Sequence, residues 1–329
     1  MTYSQLVIAE LKNNTLSKVT FEAIAVAKQL APKEYIIGAI FGVTDMQPHA
    51  ETLIKAGCDK VFVMEHPEFI RETTDAYSQA LQSVIKEYPV QNILMGHTSF
   101  GQVLAPTLAQ QLEMGIVSDV VDIACEDDFE FTIPIYAGKA FTKRILKENQ
   151  GIVTIRPHNF SSNIFDNNRI GEIKYPEIDI QEKRESLIEQ LQFATNNTDI
   201  QSSDIIIAGG RGMETHDHFH LLYELAELLG GTVGAARGAS DEGFCDSSIL
   251  IGQTGAKVTP KLYIACGISG ATQHIAGMSG ADIVVAINKD PEAMIFKNAD
   301  YGIVGDVKEV IPELIKLLKS DEMRSIIKE

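Results

Sequence analysis

Short apolar runs alternate with amphipathic stretches along the chain. QLVIAEL (5–11), YIIGAIFG (35–42), KVFVM (60–64) and QNILMGH (91–97) read as strands. Between them lie TLSKVTFEAIAVAKQLA (15–31), AETLIKAG (50–57), TDAYSQALQSVIKEY (74–88) and GQVLAPTLAQQL (101–112), with apolar residues at helical spacing. In the first of these, Val19, Ile24, Ala25, Ala27 and Leu30 form a broad stripe. Gly57 suits a helix C-cap, and Pro106 either starts or kinks the fourth helix. This rhythm predicts a parallel sheet with helices on both faces.

After Val117 the texture changes. DVVDIAC, FEFTIPIYAG, KAFTKRIL and GIVTIRP read as successive strands that extend or cap the first sheet. From about 160 to 203 the chain is polar, and NNTDIQSSD (196–204) has the composition of a linker. The α/β rhythm then resumes. DIIIAGG (204–210), KLYIACG (261–267), ADIVVAIN (281–288) and YGIVGD (301–306) read as strands. The expected helices are 216–229, with Phe219, Leu222, Ala226 and Leu229 on one stripe, the short TQHIAGM (272–278), PEAMIFKNA (291–299) and VKEVIPELIKLLK (307–319). Pro312 inside the last requires a kink or a late start. The expected fold is α/β with two domains, 1–195 and 196–329.

Composition narrows the function. The 329 residues carry 28 Lys and Arg against 45 Asp and Glu, a formal charge of −17. Phosphate-backbone binding needs clustered cations, so nucleic acid is excluded as a partner, and anionic membranes are disfavoured. Cys58, Cys125, Cys245 and Cys266 show neither a disulfide framework nor metal spacing, which suits a reducing cytoplasm. The N-terminus lacks a basic stretch followed by a long apolar core, and no apolar run reaches membrane-spanning length. Neither a signal peptide nor membrane insertion is expected.

The candidate chemistry lies in turns that follow strands. GGRGME (209–214) lacks the third glycine of a dinucleotide fingerprint. Alone it reads equally as a tight turn or as an anion cradle assisted by Arg211. Recurrence favours the cradle. GISG (267–270), Asn288-Lys289-Asp290 and Gly305-Asp306 follow later strands, and in an open parallel sheet all such turns lie on one edge. Ser269 also reads as a plain N-cap, and Asp306 as the cap of the last helix with Glu309 completing a box. VGAARGASDEG (233–243) sets Arg237 among small residues, where a surface ion pair is the plainer reading. IGQTGAK (251–257) places Gln253 and Thr254 before Gly255. THDHFH (215–220) has His216 and His220 one turn apart, but a polar helix start is favoured over a metal site. GHTSFG (96–101) is the phosphate-loop candidate of the first half, without a GxSxG elbow.

Taken in order, GGRG, AAR (235–237), GQTG (252–255), LYIACGISGATQHIAGM (262–278), VAINKDPEA (285–293) and ADYGIVGD (299–306) resemble the electron transfer flavoprotein alpha subunit. ILMGHTSFG (93–101), SDVVDI (118–123), PIYAGKA (134–140) and TIRP (154–157) extend the resemblance over nearly the whole chain. It implies an adenine-nucleotide hydrolase-like first domain acting as scaffold. It also implies a doubly wound second domain holding FAD non-covalently. The implied partners are a beta subunit carrying AMP or a second FAD, and flavin dehydrogenases such as acyl-CoA dehydrogenases, as in fatty acid beta-oxidation. The implied role is an electron carrier, working through a flavin semiquinone, and not an enzyme.

The same resemblance places Arg211 and Ser269 at the FAD diphosphate, and Gln253 and Thr254 beside the isoalloxazine. Arg237 falls over the ring, His274 near flavin O2, and Asn288 and Asp306 on the adenosine side. Gly212, Ala236, Gly252, Gly255, Gly270, Ala271, Thr272, Gln273 and Val307 complete the implied site. His274 and Arg237 are expected, as cation or strong donor, to favour negative charge on the flavin. Two positions depart from the family pattern: Ala236 where Ser is common, and Ala256 where Lys is common. Two other readings stand beside the carrier. One is the alpha subunit of an electron-bifurcating flavoprotein using NADH and ferredoxin or flavodoxin. The other is a nicotinamide-nucleotide-binding enzyme on the same fold.

Overall fold

A strand covered on both faces has no polar side to show, and most apolar runs of this chain become strands of that kind, YGIV (301–304) staying exposed. The computed structural model describes residues 4–12, 14–31, 35–71, 73–125, 128–136, 138, 140–162, 165–180 and 200–320. The chain divides into two units, Met1–Ile135 with Lys139–Gln192, and Tyr136–Gly138 with Phe193–Glu329. The expected boundary at 195/196 and the first residues of the expected linker, 196–199, fall outside the described residues.

The first unit begins with β1 (Ser4–Ile8), a small antiparallel ribbon of β2 (Leu11–Lys12) and β3 (Thr15–Leu16), then α1 (Lys18–Leu30). β4 (Tyr35–Gly42), α2 (Gln47–Ala56), β5 (Lys60–Glu65), α3 (Thr74–Glu87), β6 (Val90–Gly96) and α4 (Ser99–Leu112) follow. Next come β7 (Ile116–Val120), β8 (Asp122–Cys125), β9 (Phe129–Ile135), β10 (Ala140–Ile145), β11 (Gly151–Ile155) and β12 (Glu172–Lys174). The main sheet runs β12-β5-β4-β1-β6-β11-β7, with parallel pairing throughout. Side chains of β1 alternate between two cores. Val7 and Ala9 join the α1 and α2 residues on one face, and Leu6 and Ile8 join those of α3 and α4 on the other. Pro106 lies inside α4, which has already begun at Ser99.

Two expectations are corrected here. Of the late strands only β7 and β11 enter the main sheet, while β8, β9 and β10 make a separate antiparallel sheet. The polar stretch after residue 160 also supplies the edge strand β12. Lys60 to Glu172 (2.9 Å) and Lys174 Nζ to the Tyr88 hydroxyl (2.8 Å) hold it there. The phosphate-loop candidate GHTSFG is closed from within. Thr98 caps α4, and its hydroxyl donates to Oε2 of Glu10 at 2.7 Å, so a carboxylate already stands where an anion would enter.

The second unit contains β13 (Ile205–Gly209), α5 (His216–Leu229), β14 (Thr232–Ala235), α6 (Arg237–Asp241), β15 (Leu262–Cys266), α7 (Thr272–Met278), β16 (Ile283–Asn288), β17 (Tyr301–Val304) and α8 (Val307–Lys319). Its sheet runs β14-β13-β15-β16-β17, again parallel. Ile207, Cys266 and Ile287 pack against α5 and α8, while Ile206, Ala208, Tyr263 and Ala265 face the other core. α8 runs through Pro312.

PEAMIFKNA does not form the expected helix, and only a 3-10 turn, Met294–Asn298, appears. The Ile295 amide donates to the Ser269 carbonyl at 3.1 Å, which takes it away from an α-helical partner four residues back. Among the described residues, no helix is long and apolar enough to cross a membrane.

Candidate functional site

β13 and β15 are neighbours in the sheet, yet the chain leaves β13 for β14 on one side and returns to β15 on the other. Loops diverging from such a reversal leave a crevice at the carboxyl ends of the strands. Here the two loops touch through backbone. Gly210 N–H donates to the Cys266 carbonyl at 2.9 Å, and Gly212 N–H to the Gly267 carbonyl at 3.0 Å. A Cβ on Gly212 would lie 2.7 Å from Gly267 Cα, and Gly267 itself has φ +62°. Neither position tolerates a side chain without parting the loops.

A cavity of about 700 Å³ opens at this edge, within the usual range of ligand pockets. Of the positions expected from sequence, it brings together Arg211, Gly212, Ala236, Arg237, Thr254, Ser269, Ala271, Gln273, His274 and Asn288. The remaining expected positions do not line it. Gly252, Gln253 and Gly255 build the turn that presents Thr254, anchored by Gln253 N–H on the Gln273 carbonyl (2.7 Å) and Ala256 N–H on the Leu250 carbonyl (2.7 Å). Gly270 packs on the backbone of Ile295, and Thr272 opens α7. Asp306 caps α8 by accepting from Lys308 N–H at 2.9 Å, and Val307 is buried in the core beneath.

Some lining residues escaped sequence reading. Gly238 is one: a Cβ there would sit 2.7 Å from Arg211 Cγ, so the arginine stem lies across it. Leu250, Ile251, Ala293 and Met294 supply apolar wall and Glu292 negative charge, beside Ile268 and Asp290 of the turns already singled out in the sequence.

Side-chain geometry sharpens several roles. Ser269 does not cap α7, because the cap position falls on Ala271, which offers no side-chain acceptor. Asn288 is committed at both ends, donating to the Ile268 carbonyl (2.8 Å) and accepting from Asp290 N–H (3.0 Å). It joins the loops after β15 and β16. Arg237 is two-thirds exposed, with Nη1 at 3.4 Å from the Thr254 hydroxyl and Nε at 3.8 Å from Asp241. It remains available to a ligand.

The expected cationic role of His274 is corrected. Its side chain is buried and both ring nitrogens are engaged, by the Tyr263 hydroxyl at 2.9 Å and the Ile251 carbonyl at 3.1 Å. Burial lowers its pKa to about 4, against the favourable bond to Ile251, so the ring is neutral at pH 7. Arg211 and Arg237 are the cations of the cavity lining.

Among the described residues, no three His, Cys, Asp or Glu side chains are grouped to hold a metal. In the THDHFH tract Thr215 caps α5, and His218 Nδ1 lies 2.9 Å from the Met213 carbonyl.

Comparison with known proteins agrees with this architecture. The chain matches the electron transfer flavoprotein domain over residues 5–181 and the electron transfer flavoprotein FAD-binding domain over residues 199–279. It is 43% identical over 321 residues to the electron transfer flavoprotein subunit alpha of Bacillus subtilis (strain 168), covering 97% of this chain and 98% of that one. The subunit alpha of Thermoanaerobacterium thermosaccharolyticum is 39% identical, with 95% and 97% covered. That of Megasphaera elsdenii is 37% identical, with 96% of each chain covered. A benzoylformate decarboxylase from Polynucleobacter necessarius overlaps at 13% identity, covering 98% of this chain and 59% of that one, but its TM-score of 0.26 carries no argument.

The residues present fit FAD. Loops held together through Gly210, Gly212 and Gly267 form a close-set backbone wall of the cavity, two arginines that can pair with a diphosphate share the lining, and Ile251, Ile268 and Met294 offer apolar surface to a flat ring. The chain belongs to the family of electron transfer flavoprotein alpha subunits, FAD-binding electron carriers rather than enzymes.

Proposed function

We propose that the chain is the alpha subunit of a heterodimer with a beta subunit that holds AMP. It takes electrons from flavin dehydrogenases, such as acyl-CoA dehydrogenases, and passes them to an acceptor in the cytoplasm. On this reading residues 196–329 hold FAD in the cavity described above, and residues 1–195 are the scaffold that packs on the beta subunit. The observation that carries it is the cavity at the reversal of the second sheet, most of whose lining falls inside the 199–279 match to the FAD-binding domain.

Bound FAD supplies a ring that accepts and releases electrons; the protein binds it and sets its electrostatic surroundings. Gly212 and Gly267 keep two loop backbones close at the anion wall, and Gly238 gives Arg211 a surface to lie on. Arg237, held only loosely by Thr254 and Asp241, brings a positive charge that favours negative charge gathering in the cavity. His274 contributes an uncharged ring that helps exclude water. Ala236 lines the cavity without the hydroxyl common in the family. Ala256 packs against the apolar cluster of Ile251 and Val258, where an ammonium would be desolvated.

The test is to purify the chain with its beta partner and record the visible spectrum before and after adding FAD. A yellow complex with one FAD per chain is expected. A colourless complex that FAD does not restore overturns the reading. Saturable NADH or NADPH binding that displaces FAD would replace it with the nicotinamide-nucleotide alternative.

A further inference from the structure

Tyr263 stands in β15 with no exposed surface, and a buried phenol hydroxyl requires a partner. That partner is Nε2 of His274 at 2.9 Å. The other ring nitrogen, Nδ1, faces the Ile251 carbonyl at 3.1 Å. A carbonyl only accepts, so Nδ1 carries the proton. In a neutral imidazole the second nitrogen is then an acceptor, and the Tyr263 hydroxyl must be its donor. The order of donation along the chain is Tyr263 to His274 to Ile251.

Both neighbours are anchored. Tyr263 is paired with Ile206 on one side and Val284 on the other. Ile251 is bridged to Ala256, and its amide donates to the Ala235 carbonyl at 2.9 Å. His274 lines the cavity, and Tyr263 does not.

We propose that Tyr263 is a positioning residue of this cavity: together with the Ile251 carbonyl it holds His274 as the Nδ1–H tautomer, so that the ligand meets an uncharged ring with no N–H to spare. The Nδ1 proton rests on hydrogen-bond geometry, the neutral ring on its burial, and the effect on the ligand on the FAD reading. Removing the Tyr263 hydroxyl leaves Nε2 a buried acceptor without a donor. The ring then either keeps Nδ1–H on Ile251 with Nε2 unpaired, or gives up that bond and turns an Nε2–H toward the cavity.

The test uses the full chain labelled with nitrogen-15 in histidine, with the His274 signals assigned by their loss in His274→Gln. In the wild type, Nδ1 is expected to resonate as a protonated nitrogen and Nε2 as an unprotonated, hydrogen-bonded one. In Tyr263→Phe the Nε2 signal is expected to shift, either toward an unbonded acceptor or toward N–H. An Nε2–H tautomer in the wild type overturns the proposal, even should Tyr263→Phe fail to fold. Unchanged His274 signals in a folded Tyr263→Phe overturn it as well. A second readout is the visible band of bound FAD, expected to shift in Tyr263→Phe; an unmoved band overturns the claim that the pair shapes the ligand's surroundings. Failure of the wild type to bind FAD counts against the proposed function, and the nitrogen spectrum still decides the tautomer.

Discussion

Glu22 and His274 are both buried, and burial moves them in opposite directions on the pH scale. Glu22 is raised from 4.5 to about 7, the desolvation outweighing the N–H groups of His158 and Phe160 that favour its charge. As pH rises from 4.5 to 7, an unfolded chain ionises this carboxyl while the folded one keeps its proton. Stability therefore falls across that window, by about 3 kcal/mol, and is flat above it. His274, lowered from 6.5 to about 4, has the reverse effect: stability present above 6.5 is lost as pH falls to 4. Glu22 belongs to the first unit and His274 to the second. Hydrogen exchange in the FAD-free chain should show acid loosening the second unit, and a rise from pH 4.5 to 7 loosening the region around α1. Glu22→Gln should abolish the second trend and leave the first; persistence of both in the variant would refute the assignment. Arg237→Ala should shift the midpoint of bound FAD negative, on the order of 20–60 mV for loss of one partly screened charge. A positive shift in a redox titration would contradict the electrostatic role given to Arg237. The charge state of His274 was not legible in the sequence, because it depends on Tyr263 and Ile251, whose approach is a matter of tertiary packing.

At the scale of elements, legibility followed local chemistry. α5 and α7 begin and end where the apolar pattern places them, and α5 carries its own signals: the Thr215 hydroxyl accepting from His218 N–H at 3.1 Å, and Gly230 in the left-handed region at φ +68°. Met294–Asn298 failed because a loop remote in sequence captures the Ile295 amide. β12 and β14 are short, and pairing with β5 and β13 defines them more than their own composition does. The site followed the same rule. Turns rich in Gly, Ser and Arg were legible, whereas the apolar wall of Leu250, Ile251 and Met294 looks like any buried chain until the fold assembles it. The loops after β13 and β15 are one element in energetic terms. Gly212→Ala should force their backbones apart and raise the Kd for FAD roughly tenfold or more, since such a contact has no flexible side chain to give way. Fluorescence titration of the apo-protein checks this, and an unchanged Kd would mean that the loops yield freely.

At the scale of the molecule, the two units share a parallel architecture but differ at their carboxyl edges. In the first, Glu10 and Thr98 are bonded at 2.7 Å across the loops after β1 and β6. In the second, the corresponding edge is an open cavity. Quantifying nucleotides released on denaturing the heterodimer should give one FAD and one AMP. Two FAD per heterodimer would point to the electron-bifurcating alternative. Two α/β units in sequence were readable from the repeated strand–helix rhythm, but the closure of the first edge was not, because a single carboxylate decides it.

The backbone contact between Gly212 and Gly267 has a consequence over generations as well as within one molecule. A substitution at either position meets the main chain of the other, so neither can drift alone. A lineage that changes one must first move the whole opposing loop, and with it the cavity. Related chains that keep this pocket should therefore keep both glycines, and those that lose one should lose the other.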